Sequence, residues 1–396
     1  MTASLQELLK QTSRSFYLTL RVLPRAVRPQ IGLAYLLART TDTIADTEIL
    51  PTQERLNALG LLRARIFGHQ REPISFSAIA AQQGSPAERT LLERVEDSLA
   101  LLQTLSAADL KRVRTVIDTI TSGQEMDLLR FGGVASQSTT ALTPALSPKE
   151  RENASQASAN RTPTDSSQRG NEEHPFPGER AGVRAGQPTQ IIALQTDAEL
   201  DDYTYHVAGC VGEFWTKMCR AHLFPDAPLD DGQLLTDGVR FGKGLQLVNI
   251  LRDLPRDLQQ GRCYLPAERL ERVGLRPEDL MQAKNEAAFR PVYDELLDRA
   301  TAHLAAGWNY THALPAGQWR VRLACAWPIL IGVRTVEQLR SGPVLDAGRR
   351  IKVSRAEVRG ILARSLLRVP FPGPFRNLWR PPAVAGKAVA SQSDLA

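Results

Sequence analysis

The stretch "LARTTDTIADT", Leu37 to Thr47, sets Asp42 and Asp46 four residues apart in an otherwise apolar run, with Arg39 three residues ahead. A second couple stands far downstream in "NILRDLPRD", where Asp253 and Asp257 follow Arg252. In a helix, residues four apart are offset by about 40° around the axis and roughly 6 Å along it, so each couple shares a face. One such couple is ordinary on a solvated helix. Two couples on apolar helices packed into one core are not, because four like carboxylates facing one another are strongly unfavourable without cations. Magnesium suits them: it is hard, prefers oxygen ligands, and commonly bridges one or two carboxylates to substrate phosphates. The neighbouring arginines then supply bidentate contacts to the same phosphate oxygens. The ligand that answers this chemistry is a diphosphate. Pro255 sits inside the second couple, so either the helix bends there or Asp257 lies just past its end.

The elements that must position these residues read as helices. "SLQELLKQTSRSFYLTLRVL" carries Leu5, Leu8, Leu9, Phe16, Leu20 and Leu23 close to a 3.6-residue period, with breaks at Pro24 and Pro29. "QIGLAYLLARTTDTIADT" is apolar on most sides, as a central helix should be. "PTQERLNALGLLRARIF", "AERTLLERVEDSLALLQTL", "LDDYTYHVAGCVGEFWTKMCRAHL", "DGVRFGKGLQLVNILRDLPRDLQQG", "RPVYDELLDRATAHLAAGW", "VRLACAWPILIGVRTVEQL" and "SRAEVRGILARSLLR" continue the pattern. No alternating strands, hairpin turn pair or repeat period stands out. The expected fold class is all-α, one large helical domain built from residues 1–134 and 191–370.

Between them, Ala135 to Gln190 is rich in Ser, Thr, Pro, Gly, Asn and Gln, with Phe176 its single aromatic. Such text cannot bury enough apolar surface to offset its ordering entropy. It reads as a disordered, low-complexity insertion, since the helical pattern ahead of it needs the pattern behind it to form a core. The segment 371–396, Pro- and Gly-rich and then small and polar, reads as a poorly ordered tail.

Composition narrows the functional classes. The 396 residues are 42% hydrophobic and 23% charged, with a net charge of +6, ordinary for a soluble domain and suited to an anionic partner. A nucleic-acid binder is not expected, because the basic residues are dispersed and no groove-reading motif is present. The first sixteen residues lack the basic and apolar blocks of a secretory signal, and the longest apolar run, "LACAWPILIGV", is shorter than the roughly 20 residues that span a bilayer. The expected location is cytoplasmic, with peripheral contact at an inner membrane face left open. Cys210, Cys219, Cys263 and Cys325 show no metal or redox spacing and read as buried thiols.

With these residues in view, the chain resembles the squalene/phytoene synthase family of head-to-head prenyltransferases. The resemblance is carried by "SRSFYLTLRVLP…AYLLARTTDTIADT", "YTYHVAGCVGE" and "GLQLVNILRDLPRDLQQGRCYLP", and is strongest toward bacterial squalene synthases. It implies an all-α isoprenoid synthase fold around a central apolar cavity. It also implies that Asp42, Asp46, Asp253 and Asp257 hold Mg²⁺ against prenyl diphosphates, with Tyr203 at the reaction centre. Arg14, Arg39 and Arg252 match basic residues that bind diphosphate, and Gln246, Asn249 and Arg262 match polar positions lining the same cavity. Lys352, with Arg355 nearby, matches a basic patch that receives NADPH in squalene synthases. Two departures stand out: Ala45 occupies a place where eukaryotic squalene synthases carry an extra acid, and Ser354 stands where a second cation would serve the reductive step.

The implied reaction joins two farnesyl diphosphates through presqualene diphosphate to squalene, in a monomer. Alternatives are phytoene, dehydrosqualene or presqualene diphosphate as product, without the reductive step. Outside this class stands a non-catalytic helical lipid-binding protein, which the retained aspartates and arginines disfavour. A carbocation must be kept from water. Phe16, Tyr17, Tyr35, Phe214 and Trp215 flank the motifs, although core packing is their ordinary explanation. His206 reads as a satisfied helix histidine, Gly209 and Gly212 as places of close helix packing, and Glu125 and Asp127 as solvated or structural acids. The basic, aromatic segment "LLRVPFPGPFRNLW" is the candidate for a membrane surface.

Overall fold

The structure, a computed structural model, describes residues 3–140 and 190–381, with side chains throughout these except at 3–4, 14–16 and 133–140. The expected insertion 135–190 falls almost wholly outside the described residues, as does the tail beyond 381. Fifteen helices are described: α1 (Ala3–Val22), α2 (Arg28–Ala45), α3 (Thr52–Phe67), α4 (Ser77–Ala81), α5 (Pro86–Glu93), α6 (Val95–Leu102), α7 (Ala107–Thr140), α8 (Asp197–Thr204), α9 (Cys210–Leu223), α10 (Asp231–Gln259), α11 (Ala267–Glu271), α12 (Glu286–Ala313), α13 (Trp319–Ser341), α14 (Arg355–Arg368) and α15 (Pro372–Arg376). The all-α class is what the periodicity predicts.

Helix α2 begins at Arg28 with Pro29 in its first turn, where the missing N–H costs nothing. It buries Leu33, Leu36, Leu37 and Ile44 completely. Its threonines fit that interior by bonding back along the helix: Thr40 to the Leu36 carbonyl at 2.9 Å and Thr43 to that of Arg39 at 2.8 Å. Helix α2 packs on α7, which also receives α3, while α9 packs on α10. Helices α9 and α10 meet backbone to backbone. A Cβ at Gly212 would lie 1.9 Å from the Gly238 carbonyl oxygen, so glycine is required there.

The most extensive contact joins α10 and α12. They run antiparallel, since Tyr293 reaches the Leu251 carbonyl at 2.9 Å and Arg240 the Ala302 carbonyl at 3.0 Å. Pro255 resolves in favour of a continuous helix. Helix α10 runs through it to Gln259, keeping Asp257 inside. Proline at 255 leaves the carbonyl four residues earlier without its usual donor. That carbonyl is Leu251, and the hydroxyl of fully buried Tyr293 satisfies it.

Three expectations are corrected. The segment expected as one helix across "YTYHVAG" is interrupted by a π-helical turn, Tyr205–Gly209, between α8 and α9. Strands are present: Ile192–Ala193 (β1) pairs in parallel with Arg262–Cys263 (β2), with Ile192 N–H donating to Gly261 and Leu194 N–H to Cys263. And the first part of the expected tail is ordered. Phe375 is fully buried, with its ring 5.8 Å from that of Trp308, and Trp379 lies 6.1 Å from the same indole. Two aromatic anchors outweigh the Pro and Gly around them. All four cysteines are buried free thiols.

Candidate active site

Helix α2 brings Asp42 and Asp46 to its C-terminal end, where the Asp46 N–H still closes a turn on the Asp42 carbonyl at 2.8 Å. Helix α10 brings Asp253 and Asp257 toward its own C-terminal end. Gln246 and Asn249 precede them at spacings of three and four along that helix, half-buried and exposed respectively. A third contribution comes from α7. Gln124 donates to Asp42 Oδ1 at 2.6 Å. Asp127, one turn on, accepts from the Tyr264 hydroxyl at 2.6 Å, and its other oxygen is buried without a partner. Asp127, expected as an outer acid or as a solvated or structural one, is buried beside Tyr264 and Arg262 and not solvated. Glu125 does conform to that expectation, paired with Arg63 at 3.2 Å.

The electrostatics are those of too many carboxylates for the cations present. Burial pushes the Asp42 carboxyl up to about 6, with Asp46 adding to the rise and Arg39 and Gln124 opposing it. Asp46 is raised too, through burial, against the pull of Arg39 and Arg262. Burial likewise raises Asp127 to about 6, despite Tyr264, Arg262 and Arg130. Asp257 reaches about 7 through burial and the charge of Asp253. Arg262 acts on Asp46, Asp127 and Asp257 together, so three carboxylates from three helices lie within reach of one guanidinium. Yet Asp42 keeps 49% of its side-chain surface accessible and Asp253 31%. Carboxylates surrounded by protein but still wetted line the wall of a recess.

The predicted arginines fall around this recess. Arg39 Nη1 lies 3.6 Å from Asp42 and Nη2 is bound to Glu88, while its Nε is buried without a partner. A hollow of about 190 Å³ lies against it, lined by Thr12, Tyr35 and Glu88. Arg252 is paired with Asp253, and Arg262 with Glu48 at 3.5 Å. Tyr203 is buried and stacked on Tyr264 with ring centroids 4.7 Å apart. Burial, Tyr264 and Asp127 hold its hydroxyl well above the ordinary tyrosine range, so it stays protonated. Arg14 lies on α1 with its side chain outside the described residues. Lys352 and Arg355 are exposed at the start of α14, which packs on α13, whereas the carboxylate site is built from α2, α7, α10 and the turn at Arg262. His206 faces the Asp202 carbonyl at 3.0 Å, as a satisfied helix histidine does.

Sequence reading missed Asp127, Tyr264 and Gln124. Gln124 and Asp127 sit three apart and so share one face of α7, which is the available signal; their partners lie 82 and 137 residues away. The donor set fits a hard divalent cation. It is all oxygen, it is short of positive charge, and Asp127 Oδ1 has no partner. Among the described residues no group of three or more His, Cys, Asp or Glu side chains converges to hold an ion alone. One or two carboxylates per ion, with positions left for phosphate oxygens, is the coordination Mg²⁺ favours.

Comparison with known proteins shows the family to which the chain is similar and the fold it shares. The profile of the squalene/phytoene synthase family matches residues 9–357. A phytoene synthase from Thermus thermophilus is 30% identical over 194 residues, 48% of this chain and 62% of that protein. A presqualene diphosphate synthase from Zymomonas mobilis is 36% identical over 126 residues, 32% of this chain and 40% of that protein. The matches thus span less than two thirds of these relatives. In fold, the chain is similar to TcSQS solved with the ligand E5700, with a TM-score of 0.67 at 18% identity, covering 95% of this chain and 89% of that one.

Proposed function

The chain belongs to the squalene/phytoene synthase family, and from that premise we propose that it joins two farnesyl diphosphates head to head. The product first formed is presqualene diphosphate, with one diphosphate released; NADPH, held by Lys352 and Arg355, would supply the hydride that replaces the second diphosphate to give squalene. The observation that carries the reading is the recess where α2, α7 and α10 bring Asp46, Asp127 and Asp257 within reach of Arg262, beside the stacked Tyr203 and Tyr264.

Each part of the recess has a task. Asp42, Asp46, Asp253 and Asp257 would hold Mg²⁺, which supplies positive charge to the departing diphosphate when bound. Arg39, Arg252 and Arg262 grip the diphosphate oxygens, and Arg14 is assigned the same role. Arg39 leaves Glu88 for the phosphate, a stronger bidentate partner. Gln246 and Asn249 orient the substrate from the α10 face. Tyr203 donates a hydrogen bond from its hydroxyl and offers its ring face to developing positive charge. Asp127, through Tyr264, fixes that ring. Lys352 and Arg355 are assigned to NADPH phosphate. All these groups come from one chain, so a monomer suffices. The product is insoluble in water, so contact with a bilayer follows from its chemistry; no helix among the described residues is long and apolar enough to cross one.

A second reading stops at presqualene diphosphate. Ser354 favours it, being uncharged where a second cation would serve the reductive step, and a relative from Zymomonas mobilis bears that name. Incubation with farnesyl diphosphate and Mg²⁺, with and without NADPH, separates the two: squalene only with NADPH supports the first, presqualene diphosphate in both the second. Product from geranylgeranyl diphosphate alone would replace both with phytoene synthesis. No diphosphate release from either substrate would remove the family reaction altogether.

A further inference from the structure

The last described stretch of the chain is basic and exposed. From Val358 to Pro381 it carries Arg359, Arg364, Arg368, Arg376 and Arg380, and no acidic residue. All five arginines are exposed. Helix α14 buries only Ile361 and Ser365, a single stripe one turn apart. Its outer side and the turn after it leave large apolar groups in solvent: Leu366 is 49% exposed, Leu367 74% and Phe371 59%. Solvated cations beside protruding Leu and Phe match the surface of an anionic bilayer, which offers phosphates at the headgroups and an apolar layer beneath them.

Beside this face lies a hollow of about 640 Å³, between the end of α12 and residues 376–381, lined by Trp308, His312, Arg376, Trp379 and Arg380 among others. No carboxylate is among the lining residues. Trp308 is only 2% exposed, and its indole N–H has no partner; Nε2 of His312 has none either. Arg322, close behind, donates to the carbonyls of His312 and Leu314. Burial, with the charges of Arg376 and Arg322, pushes His312 down to about 4, leaving its imidazole neutral and the charge with the arginines. The hollow is a place for an anion. It is also remote from the carboxylates: with α10 and α12 antiparallel, Trp308 lies level with the start of α10, roughly 25–30 Å along the axis from Asp253.

We propose that residues 358–381 form a docking face for an anionic lipid bilayer, with Leu366, Leu367 and Phe371 entering the interface and the hollow at Trp308 holding one lipid phosphate against Arg376 and Arg380. This deepens the prenyl-lipid reading above, and rests on it only for preferring a lipid phosphate to other anions. A nucleic acid has no use for the protruding leucines, and a soluble phosphate has no use for the exposed ones beyond the hollow.

The test is sedimentation of the full-length protein with vesicles of mixed phosphatidylglycerol and phosphatidylcholine, and with phosphatidylcholine alone. The anionic vesicles should bind about tenfold or more tightly, with binding falling as salt rises. Leu366→Ser, Leu367→Ser and Phe371→Ser together should weaken it about tenfold, and Arg376→Gln with Arg380→Gln severalfold, while turnover on detergent-dispersed farnesyl diphosphate stays as in the parent. Equal binding to both vesicle types, or variants that sediment as the parent does, overturns the proposal. So does a tryptophan emission change that inorganic phosphate produces and anionic vesicles do not. Vesicle binding without any diphosphate release would leave this face standing and remove the catalytic reading.

Discussion

Two acidic couples in this molecule share one spacing and opposite surroundings. Asp197 and Asp201, on α8, are four residues apart, as are Asp42 and Asp46. The α8 couple is saturated with cations: Arg269 reaches Asp197 at 2.8 Å, Arg299 bridges both at 3.1 and 3.0 Å, and Lys243 meets Asp201 at 2.6 Å. Against the opposing effect of burial, Lys243 and Arg299 hold Asp201 below the usual carboxylate range. Asp42 instead shares a single arginine with Glu88 and is raised. The lesson is that DxxxD marks a helix face, and only the shortfall of cations marks a site. A saturated couple fastens α8 to α10 and α12. An unsaturated one waits for a ligand.

The sharpest way to break this contrast is to neutralise one member of each kind. Asp42→Asn or Asp253→Asn should lower diphosphate release roughly a thousandfold, with the melting temperature kept or raised because a like-charge clash is relieved. Asp201→Asn should leave release within about twofold and cost about 1 kcal/mol, a value kept small because Asp201 is 45% exposed and screened. If Asp201→Asn is as inactive as Asp42→Asn, the contrast fails. Next in size, Asp127→Asn and Tyr264→Phe should each reduce release about 10- to 100-fold, the range expected of groups that orient a site. Wild-type rates in both would return Asp127 to a structural role.

Protons and magnesium sharpen the contrast further. Asp42, Asp127 and Asp257 titrate near 6, 6 and 7 in the fold against an ordinary 3.8. The folded chain therefore binds more protons than the unfolded one. Stability from these groups is complete below about pH 4 and is lost as pH rises through 6 to 7. Mg²⁺ should restore it, raising the melting temperature by several degrees at pH 8 and scarcely at pH 5. An equal rise at both would argue that the ion binds elsewhere. Away from the acids, Tyr293→Phe strands the Leu251 carbonyl at Pro255 and should cost about 1–3 kcal/mol in denaturant melts. An unchanged midpoint would mean that water serves that carbonyl equally well.

Much of this was legible in the sequence. Period and breaks predicted the helices, and two arginine-led aspartate couples on apolar helices pointed at the recess. What escaped reading depends on distant partners. Whether Asp127 is solvated or structural could not be read locally, because the residue that claims it, Tyr264, lies 137 positions on. Pro255 left a bend and a helix end equally open because Tyr293 was invisible as the donor replacing a lost bond. Asp197 and Asp201 show the converse, since nothing local announces the three cations that quench them. The tail was misjudged from its prolines because Phe375 and Trp379 act only through Trp308, some seventy residues earlier.

The parallel pair of β1 and β2 has a consequence for local stability. It ties Ile192 and Ala193 directly to Arg262 and Cys263, while α7 is tied to the same site through Gln124 and Asp127. Segments far apart in the sequence thus meet on the groups that would face a ligand. An anion and its metal bound there would clamp β1, β2 and α7 together, and hydrogen exchange in all three should slow in step.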